Sequence, residues 1–334
     1  MIINDFLMAI FFLYVTLEIK KEVKYGMLSS VKKASFPIVA SLGGVIVPAI
    51  IYLIINLNSG YLNGVGAVIS TDIAFAVGMF MIFKSKLNSE LKIFLLSLAV
   101  VDDLISILVI LFLYSSKLNY EALLISLGII GILMVLNKIF KVKKISVYLV
   151  LGLILWYFVY ISGIHATISG VFLAMVIPSE RLGNEGSIAE KLEHKLMYLC
   201  NLIILPLFAF ANTSVVLSIN MAVPNSFNLI TGIILGLVIG KPLGVVLFSF
   251  IAMKLHIAEK PKNVSWRSIT EVAMLTGIGF TMAIFTSELA FSNNENVINL
   301  AKMSIFGAAI LSVIFTNVLL SAKKIKFRIR GFAK

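Results

Sequence analysis

The sequence predicts an all-α polytopic membrane protein, and three observations lead to that prediction. The 334 residues are 60% hydrophobic and only 13% charged, whereas a soluble domain carries about 25% charged residues. Apolar runs of about 20 residues, each long enough to cross the hydrocarbon core of a bilayer, recur from end to end. These runs have almost no polar stripe that could face water, which excludes a large soluble helical protein.

Hydropathy and helix-breaking residues divide the chain into eleven predicted helical spans. They are residues 2–24, 35–56, 62–83, 90–114, 121–140, 145–160, 163–178, 190–212, 228–252, 268–289 and 297–321. No low-complexity linker separates them. We therefore predict a single transmembrane domain over 1–334 that ends in a basic cytoplasmic tail at 322–334.

The formal charge of +12 is explained by membrane topology rather than by nucleic-acid binding. With the loop after the first span placed in the cytoplasm, 25 of the 28 Lys and Arg residues lie in cytoplasmic segments. Lys117 and Lys302 lie on the opposite side, and Lys241 lies within a span. This asymmetry predicts a cytoplasmic C terminus. The single cysteine, Cys200, excludes an internal disulfide.

Two parts of the chain repeat the same order of features and predict an inverted repeat, with halves at about 35–114 and 228–321. Span two carries Pro48 and span nine carries Pro242, and each is followed by a span interrupted near its middle. The interrupted sequences are VGAVISTDIAFAVG at 65–78 and TGIGFTMAIF, with Gly277 and Gly279, at 276–285. Paired interrupted helices are typical of transporters that bind their substrate near the midplane. Close packing on small residues is the structural alternative.

Ionisable groups near the middle of the predicted spans are few: Asp72, Asp102, Asp103 and Lys241, with His165 at a helix start. Each charged group costs roughly 2.5–3.5 kcal/mol at the centre of a membrane helix, so the set indicates an ion or proton pathway. Two adjacent carboxylates offer hard oxygen ligands to a small cation, and the same oxygens can instead take protons. Competition of cation and protons at one site is what exchange requires. A structural cluster of buried ion pairs is the alternative.

Asp102 and Asp103 cannot share one face of a helix, because neighbouring residues lie about 100° apart. One acid is predicted to face a cavity and the other a partner, and Lys241 is the natural partner of Asp102. In the interrupted third span, Asp72 can offset the positive ends of half-helices, while Thr71 offers a hydroxyl ligand. Helix capping alone is the alternative for Asp72.

Other classes of membrane protein fit these features less well. An intramembrane aspartyl protease needs aspartates on separate helices, one of them in a GxGD context, whereas Gly279 is followed by Phe280. A passive channel predicts a repeated filter, which the sequence does not contain. An inverted-repeat carrier of another solute stays open, since the architecture does not name the substrate. No enzymatic activity, cofactor or nucleic-acid partner is predicted.

Seven motifs, in order along nearly the whole chain, resemble the NhaA-type sodium/proton antiporter family. They are STDIAFAVG (70–78), LKIFLLSLAVVDDL (91–104), SGIHATISGV (162–171), KLEHKL (191–196), LPLFAFAN (205–212), GKPLG (240–244) and TGIGFTMAIF (276–285). The resemblance implies an electrogenic, pH-dependent antiporter of the bacterial cytoplasmic membrane. Such a protein expels Na⁺ or Li⁺ and admits a larger number of protons.

The resemblance also implies roles for individual residues. Asp103 would be the main Na⁺ ligand and Asp102 the second carboxylate, paired with Lys241 when no cation is bound. Thr71 and Asp72 would lie where the interrupted helices cross. The residues that match the family's cytoplasmic pH-sensing cluster are Glu18, Lys21, Glu22, Glu193 and His194. A solvated helix end is the alternative for that cluster.

The family normally begins with a further helix and a loop before the first span, whereas this chain starts at INDFLMAIFF (3–12). We therefore expect the N-terminal helix to be missing. Because that segment carries the main dimer contact in the family, both a homodimer and a monomer stay open. An inactive truncated antiporter stays open for the same reason. Membrane lipid and the transported Na⁺, Li⁺ and protons are the other implied partners.

Overall fold

The computed structural model consists of helices and their connections, which confirms the all-α prediction. It describes residues 2–85, 87–88, 90–114, 119–180, 186–213, 223–260, 264–292 and 294–332, and no β-strand occurs within these ranges. The α-helices are α1 (Ile2–Tyr25), α2 (Val31–Asn56), α3 (Ile73–Ile82), α4 (Leu91–Leu113), α5 (Tyr120–Lys138), α6 (Ile145–Ile161), α7 (Ile168–Val176), α8 (Ile188–Leu199), α9 (Leu205–Thr213), α10 (Ser226–Leu235), α11 (Lys241–Lys254), α12 (Trp266–Ala273), α13 (Phe280–Ala290) and α14 (Glu295–Phe332). Lys117 and the last two residues of the predicted tail, 333–334, lie outside the described ranges.

Helical structure occurs in all eleven predicted spans, and four of these spans are interrupted. The interruptions are 3₁₀ turns at Leu62–Val68 and Met274–Gly277 and π-helical turns at Cys200–Ile204 and Gly236–Gly240. Within the described residues, seven stretches are long and apolar enough to cross a membrane, or eight if the pair α12 and α13, bent by 45°, forms one span. The protein is therefore a multi-pass membrane protein, while the number of eleven spans stays a prediction.

The chain divides into two compact units. Unit 1 comprises Met1–Ser29 and Ile107–Asn212, and unit 2 comprises Ser30–Ser106 and Thr213–Lys334. The residues of the predicted cation site all belong to unit 2, and the residues of the predicted pH-sensing cluster all belong to unit 1.

In unit 1, α1 lies directly against α7 because a glycine removes the side chain between them. A Cβ at Gly170 would lie 2.1 Å from the carbonyl oxygen of Ala9. Farther along α1, the ammonium of Lys20 donates hydrogen bonds to carbonyl oxygens at the end of α7, including those of Ala174 (3.0 Å) and Ile177 (2.6 Å). These carbonyls have no partner inside their own helix, so Lys20 satisfies them and stabilises the contact.

In unit 2, α2 and α11 approach each other backbone to backbone. A Cβ at Gly244 would lie 2.0 Å from the carbonyl oxygen of Gly43, and a Cβ at Gly43 would lie 2.2 Å from the carbonyl oxygen of Gly244. Small residues at such crossings let membrane helices gain dispersion contacts that lipid would otherwise provide. The crossing brings α2 close to the helix that begins with Lys241.

We expect Gly244→Ala to lower the thermal unfolding temperature in detergent sharply, because its Cβ would overlap a backbone carbonyl that cannot rotate away. Overpacking of this kind typically costs about 1–3 kcal/mol and sometimes more. The matched control is Gly307→Ala in α14, where an added Cβ meets no atom within 4 Å. Alanine is the better helix former by about 1 kcal/mol, so the control should be neutral or stabilised. Equal unfolding temperatures for the two variants would contradict the glycine crossing.

Each of the two π-helical turns lies just before a proline. Cys200–Ile204 precedes Pro206, and Gly236–Gly240 precedes Pro242. Proline cannot donate to the carbonyl four residues earlier, and its ring clashes with that carbonyl, so the wider turn absorbs the misfit. The second turn ends immediately before Lys241, and it therefore helps to set the direction in which the Lys241 side chain leaves the helix.

Candidate functional site

The centre of the site is Asp102, which α4 places in the interior of unit 2 with no exposed surface. Its Oδ1 accepts a hydrogen bond from the Ser41 hydroxyl at 2.5 Å. Its Oδ2 accepts from the Thr71 hydroxyl at 2.7 Å and from the Lys241 ammonium at 2.8 Å. All four side chains are fully buried. An ionised carboxylate accepts about four hydrogen bonds, so three donors leave Asp102 nearly saturated.

Asp103, the next residue of α4, is 1% exposed. Its charge acts on Lys241 together with that of Asp102, so the single ammonium of the site lies in the field of two carboxylates. A buried ion pair of this kind seldom adds stability over an apolar pair, because both charges lose their hydration. The two acids and the lysine are therefore better explained by a function that uses their charges.

Thr71 connects the carboxylate centre to the second interrupted span. Its hydroxyl contacts the ammonium of Lys241 as well as Asp102. The same oxygen lies 3.1 Å from the carbonyl oxygen of Thr276, in the 3₁₀ turn between α12 and α13. The non-helical backbone of the second interruption thus accepts a hydrogen bond from a polar group of the site, as backbone in a membrane interior without water requires.

Asp72 joins the two interrupted spans where they cross. Its backbone N–H donates to the carbonyl of Ile278 at 2.8 Å. Its Oδ1 caps α3 by accepting from the N–H of Phe75 at 3.2 Å, and its Oδ2 accepts from the N–H of Thr281 at 3.0 Å and from the Thr281 hydroxyl. One carboxylate therefore caps the positive ends of two half-helices, α3 and α13.

The two predicted glycines of the second interruption permit close approach of its backbone to the rest of unit 2. A Cβ at Gly277 would lie 2.6 Å from both the Leu237 carbonyl oxygen and the Ser312 hydroxyl oxygen. A Cβ at Gly279 would lie 3.1 Å from the carbonyl oxygen of Ser70, next to Thr71. The glycines keep the unwound turn against the first interruption, where side chains would separate them.

Four of the five predicted pH-sensing residues come together in unit 1. Lys21 and Glu193 form an ion pair at 2.9 Å, and Glu193 is only 6% exposed. Glu18 is hydrogen-bonded to Tyr14, one turn earlier in α1, and interacts electrostatically with Glu193, Lys21 and Glu22. The cluster therefore includes a buried carboxylate, which a solvated helix end does not predict.

The fifth predicted residue, His194, points to a different neighbour. Its side chain is exposed, and its ring packs edge-to-face on Tyr198, with the ring centroids 5.2 Å apart. Adjacent residues of α8 leave the helix about 100° apart, so Glu193 and His194 face different surroundings.

Three buried polar residues of unit 2 were not predicted as site residues. Ser41 carried no signal, because a lone serine in an apolar helix usually bonds a carbonyl of its own helix. Thr281 was seen only as part of its motif. Glu271 in α12 is fully buried and accepts from the Arg267 guanidinium at 3.2 Å. Its spacing of four residues from that arginine is typical of a solvated pair on a helix surface.

The side chains of the predicted cation site offer oxygen atoms, the ligand type that hard cations prefer. Among the described residues, no group of three or more His, Cys, Asp or Glu side chains is placed to hold a metal ion. The carboxylates of Asp102 and Asp103 and the hydroxyl of Thr71 offer oxygen atoms only. Such a set differs from a permanent transition-metal site, which relies on imidazole or thiolate ligands.

A family model described as Na⁺/H⁺ antiporter 1 matches residues 1–320. The chain belongs to this family. It is 45% identical over 335 residues to Na(+)/H(+) antiporter NhaA 2 of Aliarcobacter butzleri, covering 97% of this chain and 83% of that relative. It is also 45% identical to Na(+)/H(+) antiporter NhaA of Pelagibacter ubique, with 96% and 83% covered. The relative from Helicobacter pylori, also a Na(+)/H(+) antiporter NhaA, is 40% identical over 362 residues, with 96% and 82% covered. The family is one of transporters rather than enzymes.

Proposed function

We propose that this protein exchanges internal Na⁺ or Li⁺ for external protons across the bacterial cytoplasmic membrane. The observation that supports this most is the pair of adjacent carboxylates inside α4, Asp102 and Asp103, which are 0% and 1% exposed. A chain that buries two neighbouring acids with one ammonium accepts a large desolvation cost, and an ion pathway explains it. The antiport activity that the names of its relatives state is in accord with this chemistry.

In this mechanism, Asp103 is the main cation ligand and Asp102 the second. In the cation-free state, Asp102 is held by Lys241 and Thr71. When Na⁺ arrives, Asp102 turns from Lys241 to the cation. The buried ammonium has then lost its closest counter-ion and can release its proton, because a charge without a partner is costly there. Protons returning to the site reverse these steps and displace Na⁺.

Exchange of more protons than cations makes the cycle electrogenic. Asp72 and Thr71 serve it by holding the two interrupted spans together at the site, where half-helix ends and carbonyl groups face the ion. Because cation and protons use the same oxygens, the rate of exchange depends on pH at the binding site itself.

We place the C terminus and the cluster around Glu18 and Glu193 in the cytoplasm, on the distribution of Lys and Arg along the chain. In that position, the cluster is exposed to internal pH, in keeping with a pH-sensing role for its members. The homodimer implied by the family resemblance stays a prediction.

Titration calorimetry of Na⁺ binding in detergent, between pH 6 and 9, tests the competition. We expect the apparent affinity to weaken as pH falls, with log K changing by about one per pH unit for each proton displaced. The heat should also vary with the ionisation enthalpy of the buffer, because binding releases protons. An affinity that is flat with pH and releases no protons would remove the exchange mechanism, and a carrier of another solute would then be favoured.

The control for this titration is His194→Gln. This variant replaces the histidine among the five residues of the predicted pH-sensing cluster. If the aspartates set the slope, it persists in His194→Gln. If it collapses, His194 rather than the carboxylate pair governs the pH dependence.

A further inference from the structure

Ser41 departs from the usual behaviour of a serine in a membrane helix. Serine hydroxyls in this protein typically donate to a carbonyl one turn earlier, as Ser106 does to Asp102 at 2.9 Å and Ser304 does to Leu300 at 2.8 Å. Ser41 instead donates to a carboxylate on another helix, Oδ1 of Asp102, at 2.5 Å, and both groups are fully buried. A hydrogen bond to an ionised group is about twice as strong as a neutral one.

The three donors around Asp102 divide its two oxygens unequally. Thr71 and Lys241 both take Oδ2, and Ser41 takes Oδ1. The bond from Ser41 therefore does not compete with the salt bridge, and it can persist when the salt bridge opens. With Oδ1 held, the carboxylate turns about that atom and carries only Oδ2 between Lys241 and an arriving cation.

The position of Ser41 follows from the packing of α2. Two residues after Ser41, Gly43 touches the backbone of Gly244 in α11, the helix that begins with Lys241. Three elements bring a charged group to the site. Asp103 follows Asp102 in α4, Asp72 follows the donor Thr71 in the first interruption, and Lys241 of α11 is itself a donor. Ser41 is a neutral donor from a fourth element, so it can orient the carboxylate without adding a charge to the site.

We propose that Ser41 is a positioning residue for cation exchange. Its hydroxyl fixes Oδ1 of Asp102, so that the carboxylate presents a single, ordered oxygen to the incoming cation. Without this bond, the Asp102 carboxylate is held through Oδ2 alone in the cation-free state. It can then rotate about that oxygen, and cation binding must order it. This inference rests on the proposed function, since it assigns Ser41 a role in that exchange.

The test compares Ser41→Ala, Ser41→Thr and Ser249→Ala in proteoliposomes, with Na⁺-driven proton movement measured at pH 8.5. Ser249 is the matched control, because it is a fully buried serine of α11 whose hydroxyl has no hydrogen-bond partner among the described residues. Ordering one side chain typically costs about 0.5–1.5 kcal/mol, so we expect Ser41→Ala to raise the KM for Na⁺ about threefold to tenfold. The maximal rate should stay near that of the parent, because saturating Na⁺ orders the ligand.

Ser41→Thr keeps the hydroxyl and should recover the KM of the parent, and Ser249→Ala should match the parent throughout. A merely structural role would instead reduce the amount of active protein, which lowers the maximal rate and leaves KM unchanged. An unchanged KM in Ser41→Ala therefore overturns the proposal.

A double-mutant cycle measures the coupling between Ser41 and Asp102 without a transport assay. Thermal unfolding is measured for the parent, Ser41→Ala, Asp102→Asn and the double variant. Residues in direct contact give effects that do not add, and zero coupling overturns the positioning role. If the parent moves no protons with Na⁺, the proposed function fails, and the cycle still decides whether Ser41 holds Asp102.

Discussion

Asp103→Asn should abolish Na⁺-dependent proton movement in proteoliposomes. The substitution keeps the size and shape of a side chain that is 1% exposed, so the packing of α4 should survive. It removes the negative charge that attracts Na⁺ and the oxygen that can take a proton, so neither half of the exchange can proceed. We expect the rate to fall to that of protein-free liposomes, with an unfolding temperature close to that of the parent.

Two further variants test whether the loss of exchange is due to the charge of Asp103 itself. Asp103→Glu keeps the carboxylate but displaces it by a methylene, and it should retain a measurable fraction of the exchange with a raised KM. Asp5→Asn makes the same change of residue type in α1 of unit 1, where the side chain is 14% exposed, and it should exchange like the parent. Full activity in Asp103→Asn would exclude Asp103 as the cation ligand.

Lys241→Met should destabilise the protein more than any other conservative change in the site. Methionine keeps most of the volume of the buried stem and removes the ammonium that lies 2.8 Å from Asp102. Breaking a buried ion pair by removing one partner costs about 3–5 kcal/mol, because the other charge is left without compensation. Thermal unfolding in detergent at pH 8 measures the loss.

The pH dependence of this variant identifies the cause. If the unpaired Asp102 carboxylate is responsible, protonation relieves it in the folded state, so Lys241→Met should regain stability as pH falls and lose it as pH rises. The double variant Lys241→Met with Asp102→Asn removes both charges and should recover much of the stability at pH 8. A single variant as stable as the parent at pH 8 would argue against the ion pair.

The sequence predicted the helical class, the membrane location and the two interrupted spans because each depends on local composition. Apolar length defines a span, and glycine with small polar residues defines an interruption, as at 65–78 and 276–285. The rarity of charge near the middle of the spans indicated Asp72, Asp102, Asp103 and Lys241, and the structure places them all within unit 2.

Contacts between residues far apart in the sequence could not be predicted from local composition. The bond from Ser41 to Asp102 joins residues 61 positions apart, and it depends on the tilt and rotation of two helices that no local pattern specifies. In the sequence, Ser41 cannot be distinguished from the many other serines in apolar helices. Glu271 carries no local signal either, because a glutamate four residues after an arginine is typical of a solvated pair on a helix surface.

The hydroxyl of Thr71 has one hydrogen and two oxygen acceptors within reach, Oδ2 of Asp102 at 2.7 Å and the carbonyl of Thr276 at 3.1 Å. It can donate to only one of them at a time. When Asp102 is ionised and held by Lys241, the carboxylate is the stronger acceptor. In the exchange proposed above, Oδ2 turns to the cation, and the Thr71 hydroxyl can then donate to the carbonyl of Thr276. In that mechanism, rotation about a single bond of Thr71 would couple the occupancy of Asp102 to the unwound backbone of the other interrupted span, before any helix has to move.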